Sequence, residues 1–241
     1  VDIHARQVAV EGAHGWLLPP TSLRIGDGQL ALVGCGNIDP TAFALVFAGR
    51  MEPTHGAVLL DGAGNPVALR ERVAVVDAPE VSEPEPVLPL SAVVAEELAL
   101  AGAAADRESV AAWLDDVGVS GYAQTRFELV PPEVRTELLT DLAAIRRGVD
   151  VLVLVTPDRH GGNPDDWWTV AIRHARAGAA VVLLCADPAT ALFSVHSARL
   201  GQIEQPPAIQ VAGSPGQHRS PNDQPTESFG GTLPSLAEDK R

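Results

Sequence analysis

The sequence predicts an α/β fold: a mainly parallel core sheet, with N-terminal antiparallel β strands and a helical insert. Three observations predict it. Residues 30–33, 151–155 and 180–184 are uninterrupted apolar runs of strand length, the pattern of parallel strands buried on both faces. Helical periodicity fills much of the chain between them, clearest in Val134, Leu138, Leu142 and Ile145 at steps of three and four. Shorter strand candidates, closed by glycine turns, precede the first long run.

Taken in order, residues 8–10 and 22–25 are the first strand candidates, the second turned at Gly26-Asp27-Gly28. Residues 30–33 form the first core strand. Helical character follows over 41–49, with Phe43, Val46 and Phe47 directed at the core. Strands are expected at 57–60, closed by Asp61-Gly62, and at 73–76. Residues 77–89 are acidic and proline-rich and read as an exposed loop. Helices are expected over 91–101, capped by Ser91, over 107–117, and over 131–147, ended by Gly148. The prolines at 131 and 132 suit a first helical turn, where no internal donor is needed. Strands at 151–155 and 180–184 flank a helix over 165–177. Beyond Gln205 the apolar pattern fails, and residues 205–241 read as a disordered polar tail. The expected organisation is thus one domain over 1–204, with a helical insert at about 78–148, and that tail.

Composition narrows the function classes. The net charge is −14, which repels nucleic-acid phosphates and anionic lipid heads. Nucleic acid is therefore not an expected partner. No apolar run approaches the ~20 residues that span a bilayer. The N-terminal residues lack the charged and apolar regions of a signal peptide. These features point to a cytoplasmic protein without direct membrane insertion. Cys35 and Cys185 make no disulfide framework and read as two small buried hydrophobes. Neither belongs to a paired zinc-ligand spacing, so no metal site is assigned.

One segment carries most of the functional information. Gly34-Cys35-Gly36-Asn37-Ile38-Asp39-Pro40-Thr41 lies between a strand and a helix, where a phosphate-binding loop has the frame G-x-x-x-x-G-K-[ST]. Gly34 and Thr41 fit that frame. Asp39 stands at the second glycine and Pro40 at the lysine. The single lysine of the chain, Lys240, is next to last, so the loop is read as lacking a positive charge. Pro40 supplies neither an ammonium nor an N–H. Asp39 puts a carboxylate where an anion would sit. Gly34, Gly36, Asn37, Thr41 and Ala42 are what remains of a cradle, and Thr41 is equally suited to capping the helix.

With Leu23-Arg24-Ile25, Asp27-Gly28, Ala31-Leu32-Val33-Gly34, Thr41, Ala48-Gly49-Arg50, Pro53, Gly56 and Leu60-Asp61-Gly62 in spaced series, residues 1 to about 200 resemble the nucleotide-binding domain of ATP-binding cassette (ABC) transporters. The resemblance implies a P-loop NTPase-like fold of the ABC type, ATP and Mg²⁺ as cofactors, and a membrane permease or a second ABC ATPase subunit as partner. It also implies where catalytic groups belong. The Q-loop glutamine corresponds to Asp77, read as a turn residue. The signature corresponds to Leu129-Val130-Pro131-Pro132-Glu133, which lacks donors and carries an acid. The Walker B carboxylates correspond to Val155 and Thr156, neither of which binds Mg²⁺ or acts as a base at neutral pH. Asp158 lies two residues further on. The switch histidine corresponds to Ala186. No aromatic occupies the adenine-stacking position; Trp16 lies a few residues late.

Hydrolysis needs charge stabilisation at the transferring phosphoryl group, and these positions lose it together. The sequence therefore points to a degenerate, non-hydrolytic ABC-type subunit, a structural or regulatory partner of a permease or of an active ATPase. The alternatives are a weak nucleotide-binding sensor and, last, an active ATPase. Trp167-Trp168 is open to two readings, a partner-binding hot spot or one core face plus a helix start.

Overall fold

A computed structural model describes residues 1–211. The chain folds into two sheets and seven helices among those residues. The first sheet is antiparallel and has the order β2-β1-β4, from β1 (Asp2–Gly12), β2 (Gly15–Gly26) and β4 (His55–Leu60). The second has the order β5-β6-β7-β3-β8, from β3 (Gln29–Gly34), β5 (Val73–Val76), β6 (Val151–Val155), β7 (Ala180–Cys185) and β8 (Ala198–Arg199). All its neighbours along that path are parallel. Strand β9 (Ile209–Gln210) pairs antiparallel with β3. The predicted α/β class holds, with the antiparallel strands at the N-terminus and the parallel sheet behind them.

Strands β5, β6 and β7, and β3 after Gln29, are apolar because both faces are covered. Val33, Val153 and Val182 face one core, which they share with the antiparallel sheet and α1 (Pro40–Phe47). Leu32, Leu154 and Leu183 face the other, beneath the helices. Alternate residues thus serve two different cores, as the two-residue repeat of a strand requires. Phe43 and Phe47 on α1 stack at 5.4 Å between centroids and fill the space between the sheets.

The segment read as a helical insert holds α3 (Leu90–Leu100), α4 (Arg107–Asp116) and α5 (Pro132–Ala144). α6 (Pro164–Arg176) follows β6 and packs beside α5. The one-turn helix α7 (Asp187–Thr190) follows β7.

Several sequence expectations are corrected. β1 and β2 are far longer than the fragments at 8–10 and 22–25. In β1 a bulge at Gln7, with φ of 46°, breaks the alternation. In β2 the pair Pro19-Pro20 mimics a loop, which an edge strand tolerates. α2 (Pro66–Arg72) is an additional helix, capped by Asn65. Ser91 does not cap α3, which starts one residue earlier behind Pro89. The expected tail boundary at 205 falls within structured chain. Gln205 bonds to Arg199 in both directions, and Ile209–Gln210 is a strand. Residues 212–241 lie outside the described part.

Candidate functional site

The candidate loop leaves the end of β3 and enters α1. Gly34 and Ala42 are buried, Gly36 and Asn37 exposed, and Thr41 half-buried. Asp39 caps α1: its carboxylate accepts from Thr41 N–H at 2.8 Å, and Pro40 occupies the first helical position. The cap is therefore Asp39, with Thr41 already inside the helix.

The loop is filled by its own chain. α7 begins at Asp187, and its carboxylate points back into the loop. Asp187 Oδ1 accepts from Gly36 N–H at 3.1 Å. A Cβ placed on Gly34 would lie 2.6 Å from the same oxygen, so the lack of a side chain there is what admits the carboxylate. The other oxygen, Oδ2, accepts from Arg199 on β8. Thus a carboxylate of this chain takes an amide of the kind a phosphate oxygen would need.

Arg199 corrects one expectation. The loop does have a cation beside it, since Arg199 pairs with Gly34 in the β3–β8 register. Its charge is engaged by Asp187. Two further carboxylates, Asp39 and Asp158, make the surroundings net negative. Cys35 registers this field: its thiol is pushed up to about 12, by burial first and then by Asp158, Asp187 and Asp39. Cys185, whose carbonyl accepts from Cys35 N–H at 2.9 Å, is also raised, by burial and then by Asp158 and Cys35. Both thiols are buried and held in the unreactive protonated form.

The end of β6, where the resemblance puts the metal and base positions, carries no carboxylate at residues 155 and 156. Val155 is buried in β6, and Thr156 takes a left-handed φ of 44°. The guanidinium of Arg159 turns back onto it, donating to Val155 O at 2.8 Å and to Asp77 O at 2.6 Å. Asp158 turns the other way. Its Oδ2 accepts from Ala186 N–H at 3.1 Å, while Oδ1 is buried without a hydrogen-bond partner.

Asp77, read from the sequence as a turn residue, is the centre of a buried network. It is 7% exposed. Its carboxylate accepts from Arg135 on α5 at 2.6 and 3.0 Å, from Arg159 at 3.1 Å, and bonds to His160 at 2.9 Å. Glu83 pairs with both Arg135 and Arg159 at 3.1 Å. The Arg135 guanidinium also lies 4.5 Å from the centroid of the Phe127 ring. Burial alone would raise Asp77. The hydrogen bonds from His160 and Arg135 and the charges of Arg135 and Arg159 outweigh it and hold the carboxyl below its usual range. Ligand atoms of Asp77, Glu83 and His160 come within 4.8 Å of one another. Two guanidiniums already compensate those carboxylates, so the cluster needs no metal ion for charge balance.

Sequence reasoning missed Asp187, Arg199, Arg135 and Arg159 because their roles depend on contacts between segments distant in the chain. The only local signal was a left-handed aspartate after β5, and backbone angles are not written in the sequence. Trp16 is 48% exposed and packs edge-on against His55 on the antiparallel sheet, not over the loop. Trp167 is buried and Trp168 stacks on Phe193 at 4.4 Å, so the tryptophan pair serves packing within the chain.

Among solved structures, the chain is similar to an ATP-binding subunit of an ABC transporter. The TM-score is 0.61 and the identity 13%, over 88% of this chain and 90% of that one. It is likewise similar to a nucleotide-free ATP-binding cassette from an ABC transporter, with a TM-score of 0.62 and 13% identity, over 86% and 91%. The likeness covers nearly the whole of both and shows a shared fold. No family model matches the sequence, and no curated protein matches it. No helix among the described residues is long and apolar enough to cross a membrane.

Proposed function

We propose that this chain is an ABC-type ATP-binding-subunit-like protein that binds a protein partner and does not turn over ATP. The observation that carries this reading is the Asp187 carboxylate lodged in the loop, bonded to Gly36 N–H. A triphosphate has to displace it and then sit against Asp39 and Asp158 as well. Pro40 offers no compensating donor or charge, and Val155 and Thr156 offer no ligand for Mg²⁺ and no base. A fold of this size that retains its cores while its reaction groups are replaced is suited to assembly. By likeness of fold, the partner is a membrane permease or an active ATPase subunit, with this chain at the cytoplasmic face. Affinity purification of the full chain from membranes, with identification of bound proteins, tests it. Recovery of a permease or an ATPase subunit is expected, and neither being found overturns the partner assignment.

A second reading has its own observation. Arg199 stands beside the loop, and a turn of Asp187 frees both its guanidinium and Gly36 N–H for an anion. That describes a weak nucleotide sensor in which Gly34, Gly36, Asn37, Thr41 and Ala42 line the cradle. Titration with a fluorescent ATP analogue, with and without Mg²⁺, separates the two. The first reading expects no saturable binding at millimolar ligand, and the sensor expects a saturable isotherm.

A further inference from the structure

Two crossings connect the parallel sheet with the helical insert: residues 77–89, leaving β5, and residues 145–150, returning to β6. A hinge between the two bodies would lie at these crossings. The first is not a slack linker. Asp77 and Glu80 both take left-handed φ values, 55° and 58°. The carbonyl of Ala78 accepts from the N–H groups of Val81, Ser82 and Glu83, at 3.1, 3.0 and 2.9 Å. Ser82 Oγ accepts from Ala78 N–H at 3.0 Å. At its head lies the buried carboxylate of Asp77.

We propose that the Asp77-centred cluster is a clamp that fixes the helical insert in one orientation on the sheet. The charged groups come from three separate segments. Asp77 and Glu83 lie on the crossing, Arg135 on the second turn of α5, and Arg159 and His160 on the turn after β6. A rotation of α5 relative to β6 separates Arg135 from Asp77, breaking two charge-assisted hydrogen bonds and taking a buried guanidinium from that carboxylate, while Arg159 and His160 stay on Asp77. Two acids against two guanidiniums and an imidazole leave no net negative charge inside, which is why the arrangement tolerates burial. Arg159 adds backbone anchorage by bridging Asp77 O and Val155 O, tying the crossing to the end of β6. The depressed Asp77 carboxyl stays ionised through neutral and mildly acidic pH, so the clamp stays closed over that range. The inference is independent of the partner reading, because it concerns the free chain.

Hydrogen–deuterium exchange of the full chain at neutral pH tests it. Asp77→Asn is expected to speed exchange about tenfold in peptides covering 78–89 and the start of α5, while β3 and β7 keep their wild-type rates. Unchanged rates in 78–89 and α5, or an equal acceleration everywhere, overturn the clamp. Should Asp77→Asn not fold, Glu83→Gln removes the half-buried partner. The same local pattern at about threefold is then expected, and a uniform or absent response overturns the proposal.

Discussion

Asp187 does two things with one carboxylate. It satisfies an amide at the loop and it neutralises Arg199, so its removal should release both at once. Asp187→Ala is expected to bring ATP or pyrophosphate binding into the range that calorimetric titration reads, where the wild type gives no saturable isotherm. No change would mean that Asp39 and Asp158 dominate the field there. Rebuilding the loop by Asp39→Gly and Pro40→Lys alone leaves the Asp187 carboxylate in place and removes the side-chain cap of α1, which for a glycine replacement costs only about a few tenths of a kcal/mol. The triple change should recover more binding than the double change. Hydrolysis stays absent in both, because Val155 and Thr156 still supply neither metal ligand nor base.

The antiparallel sheet depends on a close backbone approach at its bulge. Gly56 in β4 takes a φ of 75°, and a Cβ there would lie 2.3 Å from Arg6 O and 2.4 Å from Gln7 O. Those are backbone atoms, so no side-chain rotation relieves the clash. Gly56→Ala should lower stability by about 3 kcal/mol in urea denaturation. Gly62→Ala is the matched control: its φ is 85° with nothing within 4 Å, so only the conformational cost of about 1 kcal/mol remains. The same bulge explains why this sheet was poorly legible. Alternation is the sequence signal for a strand, and Gln7 and Pro19-Pro20 interrupt it where tertiary pairing carries the strand through. The core strands β3, β6 and β7 were legible because double-sided burial writes an unbroken apolar run. α1 was legible in extent but not in its cap, since Asp39 and Thr41 are both good capping residues. α2 was not, because only Leu69 of its seven residues is buried and a short helix leaves little periodicity.

Across the whole molecule, ionised groups set the pH range of stability. Asp77 and Asp141 both lie below the ordinary value of 3.8. In Asp141 burial works upwards, and hydrogen bonds from His174 and Arg173 outweigh it. Each therefore contributes stability that is fully present above about 3.8 and is lost as pH falls through the lower folded value. Cys35 and Cys185 act at the other limb. Their values are raised above 9.0, so their contribution is present below 9 and lost as pH rises, for Cys35 between 9 and about 12. Urea midpoints against pH should show both falls. Asp77→Asn should flatten the acid limb and Cys35→Ala the alkaline one, and a variant that leaves its limb unchanged refutes that assignment. The candidate site was half legible at this scale. Pro40, Val155 and Thr156, at the positions where the resemblance puts a lysine, a metal carboxylate and a base, are readable in order along the chain. Asp187 in the loop and Arg159 at the end of β6 arrive from segments that no local pattern connects.

The free side of β3 is occupied at one end by Ala198–Arg199 and at the other by Ile209–Gln210. These four residues stopper the rim of an apolar ribbon that would otherwise recruit a stranger's backbone. Shortening the chain to before Ala198 would therefore unmask an adhesive margin, and such a fragment should clump even though both interiors keep most of their side chains.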